Sequence, residues 1–180
     1  ERREKLSEAE DAYVIALELE SNHGFAYLGL GRVQSKLERV KEALKSVEKS
    51  IALLNEDYRP YMVRGDIYYS IGDYERADAK GYSKAVNIRP DLKNGWRKLA
   101  KVYRSQDKIE LLIMALSRIL EIDSEDEIAL WERAECHFEE KKLGDSMGDV
   151  HRLLALNPGN QKARKFKAKI LEKLDTREWD

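Results

Sequence analysis

Residues 58–92, YRPYMVRGDIYYSIGDYERADAKGYSKAVNIRPDL, decide the fold of this chain. The stretch holds two amphipathic helical patterns joined by a tight turn at Gly72 and Asp73, and Pro90 ends the second pattern. Outward from Gly65 in this stretch, small residues recur along the chain at intervals of 34, 35, 34 and 34 residues, at Gly31, Gly65, Ala100, Ala134 and Ala168. A fixed period of this length predicts a stack of helical repeats instead of a single globular core.

Two further sets of positions keep the same period. One set is Tyr13, Val47, Tyr82, Leu116 and Val150, and the other is Ala16, Ser50, Ala85, Ile119 and Leu153. Because residues three apart share a helix face, the two sets predict one buried ridge on the second helix of each repeat. The extra residue of the 35-residue interval falls between Ala77 and Tyr82. We expect a π-bulge there, eased by Gly81.

These patterns predict an all-α fold, an α-solenoid of antiparallel helix pairs. The predicted helices span residues 5–21, 24–37, 40–55, 58–71, 74–89, 93–106, 108–123, 127–141, 143–157 and 161–176. Residues 1–23 hold the second helix of a truncated repeat, 24–57, 58–92, 93–126 and 127–160 are full repeats, and 161–180 form a capping helix. The start in the middle of a repeat suggests a fragment of a longer protein.

Composition limits the classes of function. Lys and Arg number 33 against 34 Asp and Glu, so the chain as a whole is not a polyanion binder. The single cysteine, Cys136, excludes an intrachain disulfide and a cysteine-rich metal site. His23, His137 and His151 share no metal-ligand spacing, and no phosphate loop or nucleophile motif is present. We therefore predict no enzyme activity, no cofactor and no metal. Without an apolar run of about 18 residues, the expected location is the cytoplasm or nucleus.

Two motifs resemble the tetratricopeptide repeat (TPR) signature. They are Trp96-x2-Leu99-Ala100-x2-Tyr103 and Tyr61-x2-Arg64-Gly65-x2-Tyr68, the latter followed by Gly72-Asp73-Tyr74, Ala77, Tyr82 and Pro90. The resemblance implies a right-handed superhelix whose first helices line a concave groove for a partner's peptide or helix. It also implies a non-enzymatic adaptor or scaffold within a larger protein or multiprotein complex.

The outward faces of the first helices supply the candidate binding residues. Those chosen for partner binding are Phe25, Met62, Tyr69, Arg97, Lys98, Lys101, Arg104, Trp131 and Phe138; Leu28, Val63, Lys162, Lys165 and Lys169 share the same faces. Exposed aromatics beside charges are typical of protein-interaction surfaces. Two interpretations of Trp131 remain open, contact with a partner and packing against a neighbouring helix. A purely structural role, in which the chain's own neighbouring segments fill the groove, is a further alternative to the adaptor.

The third repeat carries a basic stripe. No acidic residue interrupts residues 93–105, whereas residues 121–140 hold nine acidic residues and one basic residue, Arg133. One interpretation is that the two faces form ion pairs with each other. Another is that Arg97, Lys101 and Arg104 hold an acidic or phosphorylated ligand through charge-assisted hydrogen bonds. A third is an RNA- or polyanion-binding surface.

A co-chaperone role is disfavoured. Of the positions that would form the family's carboxylate clamp, only Lys98 has the required residue type; the others hold Leu28, Arg32, Val63 and Asn94. The terminal helix carries Phe166, Ile170 and Leu174 on one stripe, which indicates a solvating cap, with a basic tail for an acidic partner or membrane surface as the alternative. The outer side of residues 5–20 is an uncovered edge through which the chain could self-associate.

Overall fold

The computed structural model describes residues 1–175, which contain ten helices and no strand. This confirms the predicted all-α helical repeat. The helices are α1 (Arg2–Leu19), α2 (Gly24–Lys36), α3 (Val40–Leu53), α4 (Tyr58–Ser70), α5 (residues 74–88), α6 (Lys93–Ser105), α7 (Ile109–Ile122), α8 (Glu127–Glu139), α9 (Leu143–Leu156) and α10 (Gln161–Asp175). The odd-numbered helices are the second helices of the predicted repeats, and the even-numbered helices are the first helices.

Helix α5 absorbs the extra residue of the 35-residue interval. It is α-helical at Tyr74–Arg76, π-helical at Ala77–Tyr82 and α-helical again at Ser83–Ile88. The predicted π-bulge is therefore confirmed at the residues that the repeat frame indicated. A Cβ added to Gly81 would lie 2.3 Å from the Cα of Gly65, so α4 and α5 cross here with backbone against backbone.

Side-chain caps mark where several first helices begin. The Asp126 carboxylate accepts a hydrogen bond from the Ala129 N–H at 3.0 Å, and the Asn160 side chain accepts one from the Ala163 N–H at 3.0 Å. Short polar side chains at this position satisfy N–H groups that have no partner within the helix. The local sequence thus sets helix ends independently of the packing.

The turns between the paired helices share one backbone conformation. Positive φ angles occur at Glu38 (63°), Gly72 (75°), Asp107 (56°) and Lys141 (59°), again at the repeat spacing. Only glycine adopts this left-handed conformation without a steric cost, and Gly72 is the only glycine among the four. Glu38, Asp107 and Lys141 adopt the same backbone conformation in the other turns, so the conformation predicted at Gly72 does not require glycine.

The chain divides into two compact units, Glu1–Gly95 and Trp96–Asp180. In the first, α2 packs against α3 and α4 against α5, around a core cluster of Leu28, Ala43, Val47, Val63 and Ile67. In the second, α8 packs against α7 and α9, and α10 packs against α9. Leu116, Ile119, Leu130, Val150 and Leu153 are almost fully buried in this second unit.

None of the helices in residues 1–175 is both long enough and apolar enough to cross a membrane.

Candidate functional site

The second unit carries a cluster of three aromatic side chains on α8 and α10. Trp131 and Phe138 lie seven residues apart on one face of α8, and Phe166 of α10 contacts both. The Phe166 ring centroid lies 5.2 Å from that of Trp131 and 5.3 Å from that of Phe138. All three side chains are half-buried, so the cluster packs the two helices together while part of each ring stays accessible.

Two lysines of α10 extend over this cluster. The Lys162 Nζ lies 3.8 Å from the Trp131 ring centroid, and the Lys169 Nζ lies 4.9 Å from that of Phe138. An ammonium over an aromatic face is attracted by the ring's quadrupole, by about 0.5–1 kcal/mol at exposed sites. The two lysines and three rings form one surface, hereafter the aromatic face: Trp131, Phe138, Lys162, Phe166 and Lys169.

The Trp131 ring packs against a neighbouring helix, α10, as one of its two interpretations holds. The ring lies on Phe166 within the chain, and its partial exposure leaves contact with a partner as a proposal. Phe166 itself was missing from the sequence-based candidates. Its spacing from Lys162 and Lys169, four and three residues, would have placed it on the same helix face as those two lysines.

Two guanidinium groups of the basic stripe are occupied within the chain. Arg97 forms an ion pair with Asp126, the buried residue that caps α8, and Arg104 pairs with Glu132 at 3.2 Å. Here the basic face of α6 does pair with the acidic face of α8. Arg97 and Arg104 therefore join α6 to Asp126 and α8 within the chain, and their contact with a ligand stays a prediction.

The two lysines of the stripe have different surroundings. Lys98 is half-buried, whereas Lys101 is exposed and forms no ion pair with another residue of the described range 1–175. Lys165 of α10 is also exposed, on the turn between Lys162 and Lys169. Lys101 and Lys165 thus add accessible positive charge to this unit, beside exposed arginines such as Arg164.

The candidates in the first unit are more deeply packed than the sequence predicted. Met62 is only 8% exposed, and Leu28 and Val63 belong to the core cluster, so the outward placement of these three is wrong. The reason is that α2 and α4 pack side by side and cover each other's flanks. Phe25 stays 43% exposed beneath the Arg59 guanidinium, and the half-buried Tyr69 packs on Tyr74 with ring centroids 5.3 Å apart.

An open cavity of about 480 Å³ in the second unit is lined by a largely buried ion pair. The Arg133 guanidinium donates to both carboxylate oxygens of Asp149, at 2.7 and 2.8 Å, and the Asp149 side chain is 4% exposed. Burial lowers the pKa of His137 in the same cavity and raises the pKa of the Cys136 thiol to about 11. Within residues 1–175 no cluster of His, Cys, Asp and Glu could hold a metal ion.

Comparison with known proteins identifies the repeat. Residues 58–92, the stretch that decides the fold, match the family model of the tetratricopeptide repeat. This stretch of the chain is thus similar to a single tetratricopeptide repeat. TPR proteins are typically non-enzymatic interaction scaffolds, which agrees with the prediction that this chain is not an enzyme.

A curated relative and solved structures carry the same architecture. A TPR repeat-containing protein of Methanocaldococcus jannaschii is 28% identical over 105 residues, which are 58% of this chain and 18% of the relative. The chain therefore spans less than a fifth of the length of that relative. YrrB, described as a TPR protein with an unusual peptide-binding site, superposes with a TM-score of 0.75 at 19% identity, over 94% of this chain and 87% of YrrB. MamA superposes with a TM-score of 0.72 at 18% identity, over 91% of each chain. At these identities the structural matches show the fold.

Proposed function

We propose that this TPR chain is a protein-interaction adaptor that binds an extended segment of a partner protein on the aromatic face of its second unit. The observation that carries the proposal is the half-buried cluster of Trp131, Phe138 and Phe166 beneath two lysine ammoniums. Partly accessible aromatic rings fixed by their neighbours offer a large contact area at little entropic cost on binding. Membership of a larger protein or multiprotein complex is part of the same proposal.

The charges beside the aromatic face favour an acidic or phosphorylated segment with apolar anchors. Lys162 and Lys169 lie over the rings, Lys165 lies on the same helix, and Lys101 is a further exposed lysine of the unit, on α6. A lysine ammonium on a flexible stem can follow a ligand carboxylate or phosphate. The guanidiniums of Arg97 and Arg104 are held by Asp126 and Glu132, so the lysines take the role that the sequence assigned to the arginines. Apolar side chains of the partner would lie against the rings while its acidic groups contact the ammoniums.

The polyanion alternative loses part of its support for the same reason. An RNA-binding stripe needs Arg97 and Arg104 free to contact phosphates, and both form ion pairs within the chain. Affinity for nucleic acid would rest on lysines alone and would fall steeply with salt. A peptide anchored by aromatic contacts should keep its affinity at moderate salt, because apolar burial is not screened.

Selection from a random peptide library on the immobilised chain tests the proposal directly. The selected peptides, a single-stranded RNA and heparin are then titrated against the wild type and variants by fluorescence polarisation. Trp131→Ala should weaken the selected peptides about thirtyfold, as expected for an aromatic hot spot. Lys165→Glu should weaken the acidic peptides among them several-fold, because it reverses a charge beside the rings.

Two variants of the first unit serve as matched controls. Phe25→Ala removes an exposed aromatic under an arginine, and Lys45→Glu reverses an exposed lysine of α3. Both should bind as the wild type does, and circular dichroism should show every variant folded. Peptides that bind equally to wild type, Trp131→Ala and Lys165→Glu would refute the aromatic face as the site. Binding of RNA and heparin without any selected peptide would establish the polyanion alternative instead.

A further inference from the structure

The outer face of α7 carries apolar residues at positions where α3 carries charge. In the repeat frame, residues 110, 111, 114 and 118 of α7 correspond to residues 41, 42, 45 and 49 of α3, and all eight are exposed. On α3 all four are charged, whereas α7 has Leu111 and Met114 between Glu110 and Arg118. Leu111 is 39% exposed and Met114 is 38% exposed. Adjacent apolar side chains rimmed by charges are typical of a surface that contacts another molecule.

The outer face of α9 has glycines and open space at the corresponding level. Its residues at the same four repeat positions, each 34 further along the chain, are Gly144, Asp145, Gly148 and Arg152, and all are exposed. Nothing lies within 4 Å of a Cβ added to Gly144 or Gly148. Another helix can therefore approach the backbone of α9 closely along this face.

Helices α7 and α9 lie side by side on this face of the second unit. The open cavity beside Arg133 is lined by residues of both helices, among them Ser117 of α7 and Gly144 and Gly148 of α9. The Arg133 side chain of α8 donates hydrogen bonds to Ser117 on one side and to Asp149 on the other, which fixes the spacing of α7 and α9. The exposed residues among 110–118 and 144–152 thus form one surface, hereafter the outer patch.

Charge of one sign lies at each end of the outer patch. Glu110 and Asp145 lie at one end, and Arg118 and Arg152 lie at the other. On α7, Glu110 and Arg118 are each four residues from Met114, so they lie about 6 Å from it along the helix axis in opposite directions. The patch is acidic at one end, apolar or glycine in the middle and basic at the other end. It is therefore complementary in charge to a reversed copy of itself.

The two arginines have partners within the chain but stay accessible. Arg118 forms an ion pair with Glu121 at 2.7 Å and is 54% exposed. Arg152 donates to the Ser124 carbonyl oxygen at 2.7 Å, lies 3.9 Å from Asp149 and is 43% exposed. Exposed ion pairs contribute little to stability, and a guanidinium has five N–H donors. Each arginine can therefore take a further carboxylate from another molecule.

We infer that two copies of the chain form a dimer through their outer patches, with α7 and α9 of one copy antiparallel to the same helices of the other. The two-fold axis crosses α7 at Met114 and α9 at Gly148. Met114 then packs across the axis on its own counterpart, and Glu110 of each copy faces Arg118 of the other. Because a two-fold contact uses the same surface on both copies, association stops at the dimer.

Sedimentation equilibrium of the full chain tests the inference. The wild type should show a reversible equilibrium between monomer and dimer with no larger species. Met114→Lys introduces the residue type that α3 has at this position and should weaken the dimer at least about tenfold, because two ammoniums then meet at the axis. Ile128→Lys changes an isoleucine of α8 that is 59% exposed outside the outer patch, and this matched control should dimerise as the wild type does.

A charge exchange tests the antiparallel arrangement. Glu110→Arg and Arg118→Glu should each weaken self-association several-fold, because like charges then face each other across the interface. An equimolar mixture of the two variants should recover the affinity of the wild type, since each Glu then faces an Arg in the other chain. Added salt should weaken the wild-type dimer. Circular dichroism should show all variants folded.

Three results would overturn the inference. One is a wild type that stays monomeric at every concentration or forms species larger than a dimer. Another is a Met114→Lys variant that dimerises as the wild type does, which would place the contact elsewhere on the chain. The third is a mixture of Glu110→Arg and Arg118→Glu that associates no better than either variant alone.

Discussion

Arginine occupies the same repeat position in the two units but satisfies a different partner in each. In the first unit the Nε of Arg64 donates to the Lys80 carbonyl oxygen at 2.9 Å, sixteen residues further along the chain. In the second unit Arg133 donates to the Asp149 carboxylate, also sixteen residues further along. Lys80 lies in the π-helical turn of α5, where an extra residue shifts the backbone hydrogen-bond register. One guanidinium thus contacts a carbonyl in the irregular turn, and the other neutralises a buried carboxylate.

Each arginine also donates a hydrogen bond to a side chain of the second helix that precedes it in the chain. Arg64 also donates to the Glu48 carboxylate at 2.8 Å, and Arg133 donates to the Ser117 hydroxyl oxygen at 2.9 Å, each sixteen residues earlier in the chain. The same repeat position thus holds an arginine that reaches the second helices before and after it in both units. The groups that these helices present decide which interaction the arginine makes. The one-residue insertion in α5 is tolerated because Arg64 donates a hydrogen bond to the altered backbone, at the Lys80 carbonyl oxygen.

The largest expected effect comes from breaking the ion pair of the second unit. Arg133→Met leaves the Asp149 carboxylate, 4% exposed, with only Arg152 at 3.9 Å. Unfolding free energy should fall by about 3 kcal/mol, whereas the double variant Arg133→Met/Asp149→Leu should recover much of it. Arg64→Met should cost less, about 1–2 kcal/mol, because it leaves a neutral carbonyl without its donor.

Urea unfolding of the three variants measures these differences. Equal losses for Arg64→Met and Arg133→Met would mean that the two arginines play the same role, and would contradict the difference between their partners. Failure of the double variant to recover stability would show that Arg133 acts through packing or through Ser117 more than through the carboxylate.

The next effect concerns the backbone crossing of the first unit. Gly81→Ala places a Cβ 2.3 Å from the Gly65 Cα and 2.7 Å from its nitrogen, and backbone atoms cannot move aside as a side chain can. We expect a loss of about 2–3 kcal/mol from overpacking. Gly148→Ala in α9 of the second unit is the matched control, because nothing lies within 4 Å of its added Cβ.

The control should gain about 0.5–1 kcal/mol, since alanine has the higher helix propensity. Thermal unfolding followed by circular dichroism gives both values. A Gly81→Ala variant as stable as the wild type would show that the π-helical turn can relax to an ordinary α-helix.

The smallest effect is a difference in pH dependence between the units. Burial lowers the pKa of His137 below its ordinary 6.5, so its contribution to stability is present above that pH and is lost as pH falls. Burial and the hydrogen bond to Asp66 raise the pKa of Tyr82 above 10, so its contribution is lost as pH rises beyond 10. Hydrogen exchange read by segment should show the second unit loosening first in acid. In alkali both units should loosen, because the raised pKa of the Cys136 thiol removes stability from the second unit as well.

Single substitutions provide the control for this pH dependence. His137→Phe should flatten the acid side and leave the alkaline side unchanged, and Tyr82→Phe should do the reverse after a uniform loss of about 1 kcal/mol for its hydrogen bond to Asp66. If the His137→Phe variant loses stability in acid as the wild type does, groups other than His137 cause that loss.

The helices were predicted well from the sequence, but the exposure of individual side chains was predicted less well. Helix ends, turns and the π-helical turn depend on local chemistry and on a period repeated along the chain, both visible in a single sequence. Leu28, Met62 and Val63 were misplaced because a first helix has two flanks, and only the packing of its neighbour decides how far each is covered. The repeat divisions and the binding residues stay predictions.

The amino-acid sequence alone determined the all-α helical repeat, the place of its inserted residue and the small residues at the helix crossings, because period and side-chain size are properties of the chain itself. Tertiary structure alone decided which charges and rings remain accessible. Arg97 and Arg104 turn to carboxylates on α8, and Phe166 covers Trp131. Long side chains can reach several partners, and the choice depends on distances that exist only once the helices have packed.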